Sequence, residues 1–197
     1  DDIINNNTER NLYEIFKFFG DEKYSKNISK KIVKLRENQL INTEDLVKII
    51  ESIKKIHNPK INKCTKVFQA LRIFVNKEIS ELINGLINSF KILPIGGVMA
   101  VVSFHSLEDK IVKFFFKHYS ENKNTSRYIP NKKKNCQCFK LINKKPIIPS
   151  LEEIRINPPS RSSKLRYAIK VSDNYDFTDF KNKFKYLIDI ENLKIDI

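Results

Sequence analysis

The sequence is poor in the residues on which several architectures depend. Its three cysteines, Cys64, Cys136 and Cys138, are odd in number and two of them are one residue apart. That spacing excludes a disulfide framework and fits reduced thiols. The same three lack a fourth ligand and the usual two-residue zinc spacing, so no metal is expected. Apolar runs are short: Val98 to Val102 and Phe114 to Phe116 fall far below the ~20 residues of a membrane helix, so no span and no membrane partner are expected. The opening Asp1-Asp2-Ile3-Ile4-Asn5-Asn6 is acidic and polar where a signal peptide is basic and then apolar. The expected compartment is therefore the cytoplasm. Four glycines, Gly20, Gly85, Gly96 and Gly97, never form the G-x-G after a strand that lets backbone approach a cofactor. Methionine occurs once, at Met99, and the chain starts at Asp1, so it reads as a piece of a longer polypeptide.

Lysine is what the sequence has in excess. Formal charge is +14, and seven of the 37 basic residues are arginine. A polyanionic partner such as RNA suits that balance, because each phosphate neutralised releases counterions. The crowding of Lys, Asn and Ile suggests an A+T-rich genome, so much of the lysine reads as compositional drift on a solvated surface. The few arginines then carry more information. With 197 residues and 41% hydrophobic content, the chain can bury one sizeable core or one core and a satellite.

Helical spacing dominates the first part. Leu12, Ile15, Phe16 and Phe19 stop at Gly20-Asp21, then Ile28, Ile32, Val33 and Leu35 follow. A third helix, with Leu46, Val47, Ile50 and Ile53, is expected to start with Thr43 as its cap. Pro59 in His57-Asn58-Pro59-Lys60 breaks the pattern. One long helix is then expected from Thr65 to Phe90, with Gln69, Arg72 and Asn76 on one face. Pro94-Ile95-Gly96-Gly97 reads as a turn, and Val98 to Phe104 as a parallel strand buried on both faces. Leu107 to Tyr119 is helical, and Ser120 to Asn135 a basic loop. Cys138 to Ile142 and Leu165 to Val171 read as strands, and Tyr175 to Ile197 as a docked helix. This order matches the end of a doubly wound α/β domain that closes with an antiparallel pair.

Several segments point to a family. Phe68-Gln69-Ala70-Leu71-Arg72-Ile73, Val75-Asn76 and Glu78 are followed by Ser103-Phe104-His105-Ser106-Leu107-Glu108-Asp109-Lys110-Ile111-Val112-Lys113. Asn157-Pro158 and Arg161-Ser162-Ser163-Lys164-Leu165-Arg166 come next, with Gly20-Asp21-Glu22-Lys23-Tyr24-Ser25 and Asp2-Ile3-Ile4-Asn5 nearer the start. Together they resemble the MraW/RsmH family of ribosomal RNA methyltransferases, which modify a cytosine N4 in the small subunit. The resemblance implies an α/β fold: the second half of a class I (Rossmann-like) methyltransferase domain plus part of a helical insertion. Residues 1–61 would then be the latter part of the insertion, 62–172 the second half of the methyltransferase domain, and 173–197 a helical tail. It further implies S-adenosylmethionine as cofactor, with its binding loop upstream of this chain, and small-subunit ribosomal RNA as partner. A fragment of this kind is expected to be inactive alone.

A strand ending at Ser103 would deliver Ser103, His105 and Ser106 to the carboxyl edge of the sheet, where ligands of open α/β folds bind. These three are the expected substrate-binding residues. His105 could equally be a helix-entry residue, and Glu108 and Asp109 read as first-turn acids favoured by the helix dipole. Arg161, Ser162, Ser163 and Lys164 form a basic, hydroxyl-rich turn suited to RNA backbone contacts. Arg166 reads equally as a solvated strand start. Gln69, Arg72 and Asn76 read as a clamp of the insertion against the sheet ahead of ligand contacts, Asn157-Pro158-Pro159 as a rigid loop, and Lys132-Lys133-Lys134 as a solvated charge run ahead of an RNA contact. No side chain is assigned as proton acceptor, and no oligomeric state is implied. The alternative is a non-catalytic RNA-binding remnant, or a subunit completed by another chain.

Overall fold

A computed structural model describes residues 2–54, 62–120 and 137–193. The boundary expected at 61, the loop through Asn135 with its Lys132-Lys133-Lys134 run, and Cys136 lie largely or wholly outside those residues. The chain divides into two compact units, one of Asp1–Ser80 with Tyr186–Ile197 and one of Glu81–Lys185. Among the described residues no helix is long and apolar enough to cross a membrane.

The first unit is helical: α1 (Asp2–Asn6), α2 (Glu9–Phe18), α3 (Ser25–Arg36), α4 (Thr43–Ile53) and α5 (Thr65–Asn76). Leu12, Ile15, Phe16, Ile28, Ile32, Ile50, Val67 and Ile73 form its core and are essentially solvent-free. Local chemistry sets the helix ends. Thr8 caps α2 by accepting from the Asn11 N–H, and Arg36 donates to the carbonyls of Ile4 and Asn7 at the end of α1. The cap of α4 is Asn42, one residue before the expected Thr43. It closes a reciprocal box with Asp45, and that box satisfies two N–H groups where Thr43 alone would satisfy one.

The long helix expected from Thr65 to Phe90 is two helices, α5 and α6 (Glu78–Ile92), broken at Lys77. Lys77 adopts the left-handed conformation, φ 51° and ψ 41°. Glu78 draws the break closed: Arg72 donates to both its carboxylate oxygens, at 2.8 and 3.1 Å, and Asn76 to one. The apolar spacing continues across residue 77, which is why periodicity alone reads a single helix. Gln69 donates to the Phe19 carbonyl at 3.3 Å, a contact inside the helical unit and not the expected clamp onto the sheet. Arg72 and Asn76 fasten the helix junction instead.

The second unit carries a three-stranded sheet of order β1-β3-β2, with β1 at Val98–Ser103, β2 at Phe139–Leu141 and β3 at Lys164–Lys170. The last strand lies between the other two and is antiparallel to both. This corrects the reading of β1 as a parallel strand buried on both faces. Its ladder among the described residues is antiparallel, and Val98 and Val102 are half exposed while Met99 and Ser103 are buried. That alternation belongs to a strand covered on one face. Helix α7 (Ser106–His118) follows β1. Before β3 come α8 (Leu151–Ile156) and a 3-10 turn (Pro158–Ser162) that contains the proline pair expected as a rigid loop. Helix α9 (Thr178–Glu191) closes the described chain.

Phe90, Phe115, Phe139 and Phe180 are fully buried, and Phe115 meets Phe139 and Phe180 at centroid distances of 5.5 and 4.8 Å. Lys170, on β3, is 1% exposed. Its ammonium donates to the Phe90 and Leu93 carbonyls at 2.9 and 2.7 Å and sits over the Phe90 ring. It thus caps carbonyls that the end of α6 leaves without helical partners.

Gly20, just after α2, passes close to the start of α5. A Cβ there would run into the carbonyl oxygens of Lys66 and Phe16. Gly20→Ala is therefore expected to destabilise the helical unit by about 1–3 kcal/mol in urea unfolding. Gly85, inside α6 with open space around its Cα, gives the opposite sign: Gly85→Ala is expected to stabilise by about 0.5–1 kcal/mol.

Candidate functional site

The end of β1 turns into α7 through Ser103-Phe104-His105-Ser106. Ser103 is buried and its hydroxyl donates to the Lys164 carbonyl at 3.3 Å. His105 is extended, at φ −135° and ψ 162°, and is the N-cap of α7. Its Nδ1 accepts from the Glu108 N–H at 3.3 Å, and the Glu108 carboxylate accepts from the Phe104 and His105 N–H groups at 2.8 and 3.3 Å. Nδ1 as acceptor leaves the ring proton on Nε2, which lies 3.4 Å from Glu108 Oε1. The helix-entry reading of His105 is thus realised in the geometry. Burial pushes the Glu108 carboxyl up, but the hydrogen bonds from His105 and the two backbone N–H groups outweigh it and hold the group below its ordinary value. Ser106 opens the helix and is exposed.

The second expected cluster meets the first across the ladder, because Ser103 and Lys164 are register partners. Arg161 and Ser162 lie exposed on the 3-10 turn, while Ser163 and Lys164 are half-buried. Lys164 is not turned wholly to solvent: its ammonium sits 3.3 Å from Asp109 Oδ2. Arg166 reaches the same carboxylate through Nε at 2.7 Å and Nη2 at 3.3 Å. Residues i and i+2 share one face of a strand, so the two cations of β3 converge on one helix acid.

Sequence reasoning assigned Asp109 to the helix dipole and left Arg166 open. The missed signal was the alternation of Lys164 and Arg166 opposite an acid one turn into the next helix. Burial pushes the Asp109 carboxyl up, and the guanidinium and ammonium more than offset this, holding it below the usual carboxylate range. Of the expected site residues, the geometry brings Ser103, His105, Ser106 and Lys164 to one end of the β1–β3 pair. Arg161 and Ser162 stand just before β3, on the 3-10 turn.

A carboxyl held below its unfolded value releases its proton more readily in the folded state. Its contribution is complete at neutral pH and is lost as pH falls through the folded value. Asp109→Asn is therefore expected to lower the stability of the sheet unit by about 2–3 kcal/mol at neutral pH. The gap to wild type should narrow below about pH 4, as the wild-type carboxyl takes up its proton. Urea unfolding followed across pH checks both statements.

Comparison with known proteins adds to this geometry. A family model described as the MraW methylase family matches residues 1–171. A relative from Ehrlichia canis, named ribosomal RNA small subunit methyltransferase H, is 41% identical over 171 residues, 86% of this chain and 55% of its own length. Proteins of the same name from Bartonella grahamii and Persephonella marina are 42% and 38% identical, over 91% and 86% of this chain and 55% and 54% of theirs. The chain thus spans about half the length of the curated relatives it matches. With the match running through both helical unit and sheet unit up to the end of β3, the chain belongs to the MraW methylase family.

Proposed function

We propose that this chain forms the nucleobase and RNA side of an S-adenosylmethionine-dependent enzyme of the cytoplasm. The enzyme would methylate the N4 amine of a cytosine in small-subunit, 16S-type ribosomal RNA. The observation that carries the reading is the family match over residues 1–171, which includes the Ser103–Ser106 turn at the carboxyl end of β1. Methyl transfer to an exocyclic amine requires the nitrogen, the methyl carbon and the leaving sulfur to be held nearly in line. On this reading Ser103, His105 and Ser106 orient the cytosine edge. Arg161, Ser162, Ser163 and Lys164 hold the RNA backbone. Residues 1–61 belong to a helical insertion, 62–172 to the second half of the methyltransferase domain and 173–197 to a tail.

The turn into α7 does not fit the cofactor itself. The N–H groups of Phe104, His105 and Glu108 are all taken by the capping box, and the turn contains no glycine. Cofactor binding is therefore assigned to residues outside this chain, which makes the chain inactive alone. That same feature favours a second reading, an RNA-binding remnant or subunit without catalysis.

Joining this chain to the part of the Ehrlichia canis relative that it does not match separates the two. The chimera is expected to transfer labelled methyl to cytosine N4 of small-subunit RNA, read by nucleoside mass, and the chain alone to transfer none. Transfer by the chain alone, or none by the chimera beside an active intact relative, would overturn the reading. Asparagine is a good N-cap, so His105→Asn in the chimera keeps the helix start and removes the imidazole. Turnover is expected to fall roughly a hundredfold with the melting temperature little changed. Preserved turnover would leave His105 a cap only. Arg161→Ala is expected chiefly to raise KM.

A further inference from the structure

The two faces of the sheet are covered unequally. Side chains alternate across a strand, and the register pairs Val98 with Ile169, Ala100 with Tyr167 and Val102 with Leu165. These residues share one face, opposite the one on which Lys164 and Arg166 meet Asp109 of α7. On the α7 face Met99, Ser103, Ala168 and Lys170 are buried. On the other, Val98 and Val102 are more than half exposed, Ala100 is exposed, and Leu165, Tyr167 and Ile169 are half-buried. Phe104, just past β1, is also more than half exposed. Lys140, paired with Ile169, stands at the β2 rim of this face, and the β1 side of it is uncharged.

β1 is an outer strand as well. It pairs with β3 on one side, and among the described residues no strand pairs with its other edge. A free edge is commonly guarded by charge, proline or a bulge. Val98-Met99-Ala100-Val101-Val102-Ser103 has neither charge nor proline, and it pairs residue for residue with β3, so no bulge twists it away.

We infer that this edge and the apolar face beside it are a docking surface for the part of its relatives that the chain does not match, and that the two halves associate as separate polypeptides. The inference rests on the assignment of cofactor binding to that unmatched part. Such an occupant adds a strand to β1, which supplies backbone hydrogen bonds, and lays apolar side chains on Val98, Val102 and Leu165. The chain spans 55% of the Ehrlichia canis and Bartonella grahamii relatives, so a segment of comparable size is there to cover the face. An uncharged edge offers phosphate no partner, which sets this surface apart from the Arg161–Lys164 turn. A second copy would bring together two chains of charge +14, and that repulsion opposes self-pairing.

The experiment expresses the full chain, tagged, with the unmatched part of the Ehrlichia canis relative as a second polypeptide in one cell, so that each folds in the presence of the other. The two are expected to co-purify in equal amounts. Hydrogen exchange of the segment 98–104 is expected to slow in the complex relative to the chain alone. Val102→Glu puts a charge on the docking face and should weaken the association by about tenfold or more. The melting temperature of that variant alone should be little changed, because Val102 is exposed. Lys110→Glu, exposed on α7 and so outside this face, should alter the association by less than about twofold. Co-purification without slower exchange at 98–104, or with both variants equally weakened, would place the contact elsewhere and overturn the inference. No co-purification beside a covalent chimera that transfers methyl would also overturn it and leave the methyltransferase reading standing. Absence of both would overturn the two together. A self-associated chain whose β1 is already protected would show the occupant to be a second copy, which overturns the inference too.

Discussion

One largely buried carboxylate holds the sheet unit in register with its helix. Asp109 stands one turn into α7 and takes both cations of the outer end of β3, Lys164 and Arg166. Breaking such a group from one side strands a charge in a partly dry place, so it resists displacement more strongly than a surface pair does. The α7 start cannot shift without moving Asp109, and the turn from Ser103 to Ser106 is the short link between β1 and that start. Arg166 extends the tie to the Lys144 carbonyl beyond β2. The carboxylate therefore ties the turn from Ser103 to Ser106 to Lys164, the residue that pairs with Ser103 across the ladder.

The helical unit uses acids in the same way. Glu22 is 4% exposed and accepts from Lys54 at 2.6 Å and from the Tyr24 N–H. Glu191, 3% exposed, accepts the Ile79 and Ser80 N–H groups at the start of α6, where the helix leaves donors without partners. In a chain with 37 basic and 23 acidic residues, the acids that are buried each satisfy several donors at once. Lysine, apart from Lys54 and Lys170, stays largely at the surface. That split is what drift in a solvated lysine population leaves behind when a few carboxylates are structurally required.

What was legible in the sequence was whatever rests on local spacing. The apolar faces of α2, α3 and α4, the turn at Gly96, the strand after it and the helix from Leu107 all follow from periods of 3.6 and 2 with their punctuation. Gly96, at φ 85°, donates to the Lys170 carbonyl, a position that favours glycine. The break at Lys77 was hidden because a single left-handed residue leaves the apolar stripe on both sides intact. Strand direction was hidden because β1 and β3 meet across more than sixty residues of chain, and no local pattern records which edge a distant strand takes. The buried Lys170 was illegible for the same reason, since its acceptors lie some eighty positions earlier at the end of α6. At the candidate site, the residues were found by resemblance, and their mutual contacts needed the fold.

The charge distribution gives the last step. Two cations share the single carboxylate of Asp109, so the trio keeps an excess of positive charge. It stands at the end of β3 that directly follows the exposed Arg161 turn. On the proposed reading that excess lies beside the residues assigned to the RNA backbone, so phosphate contacts there would bear on the alignment of the amine held at the end of β1.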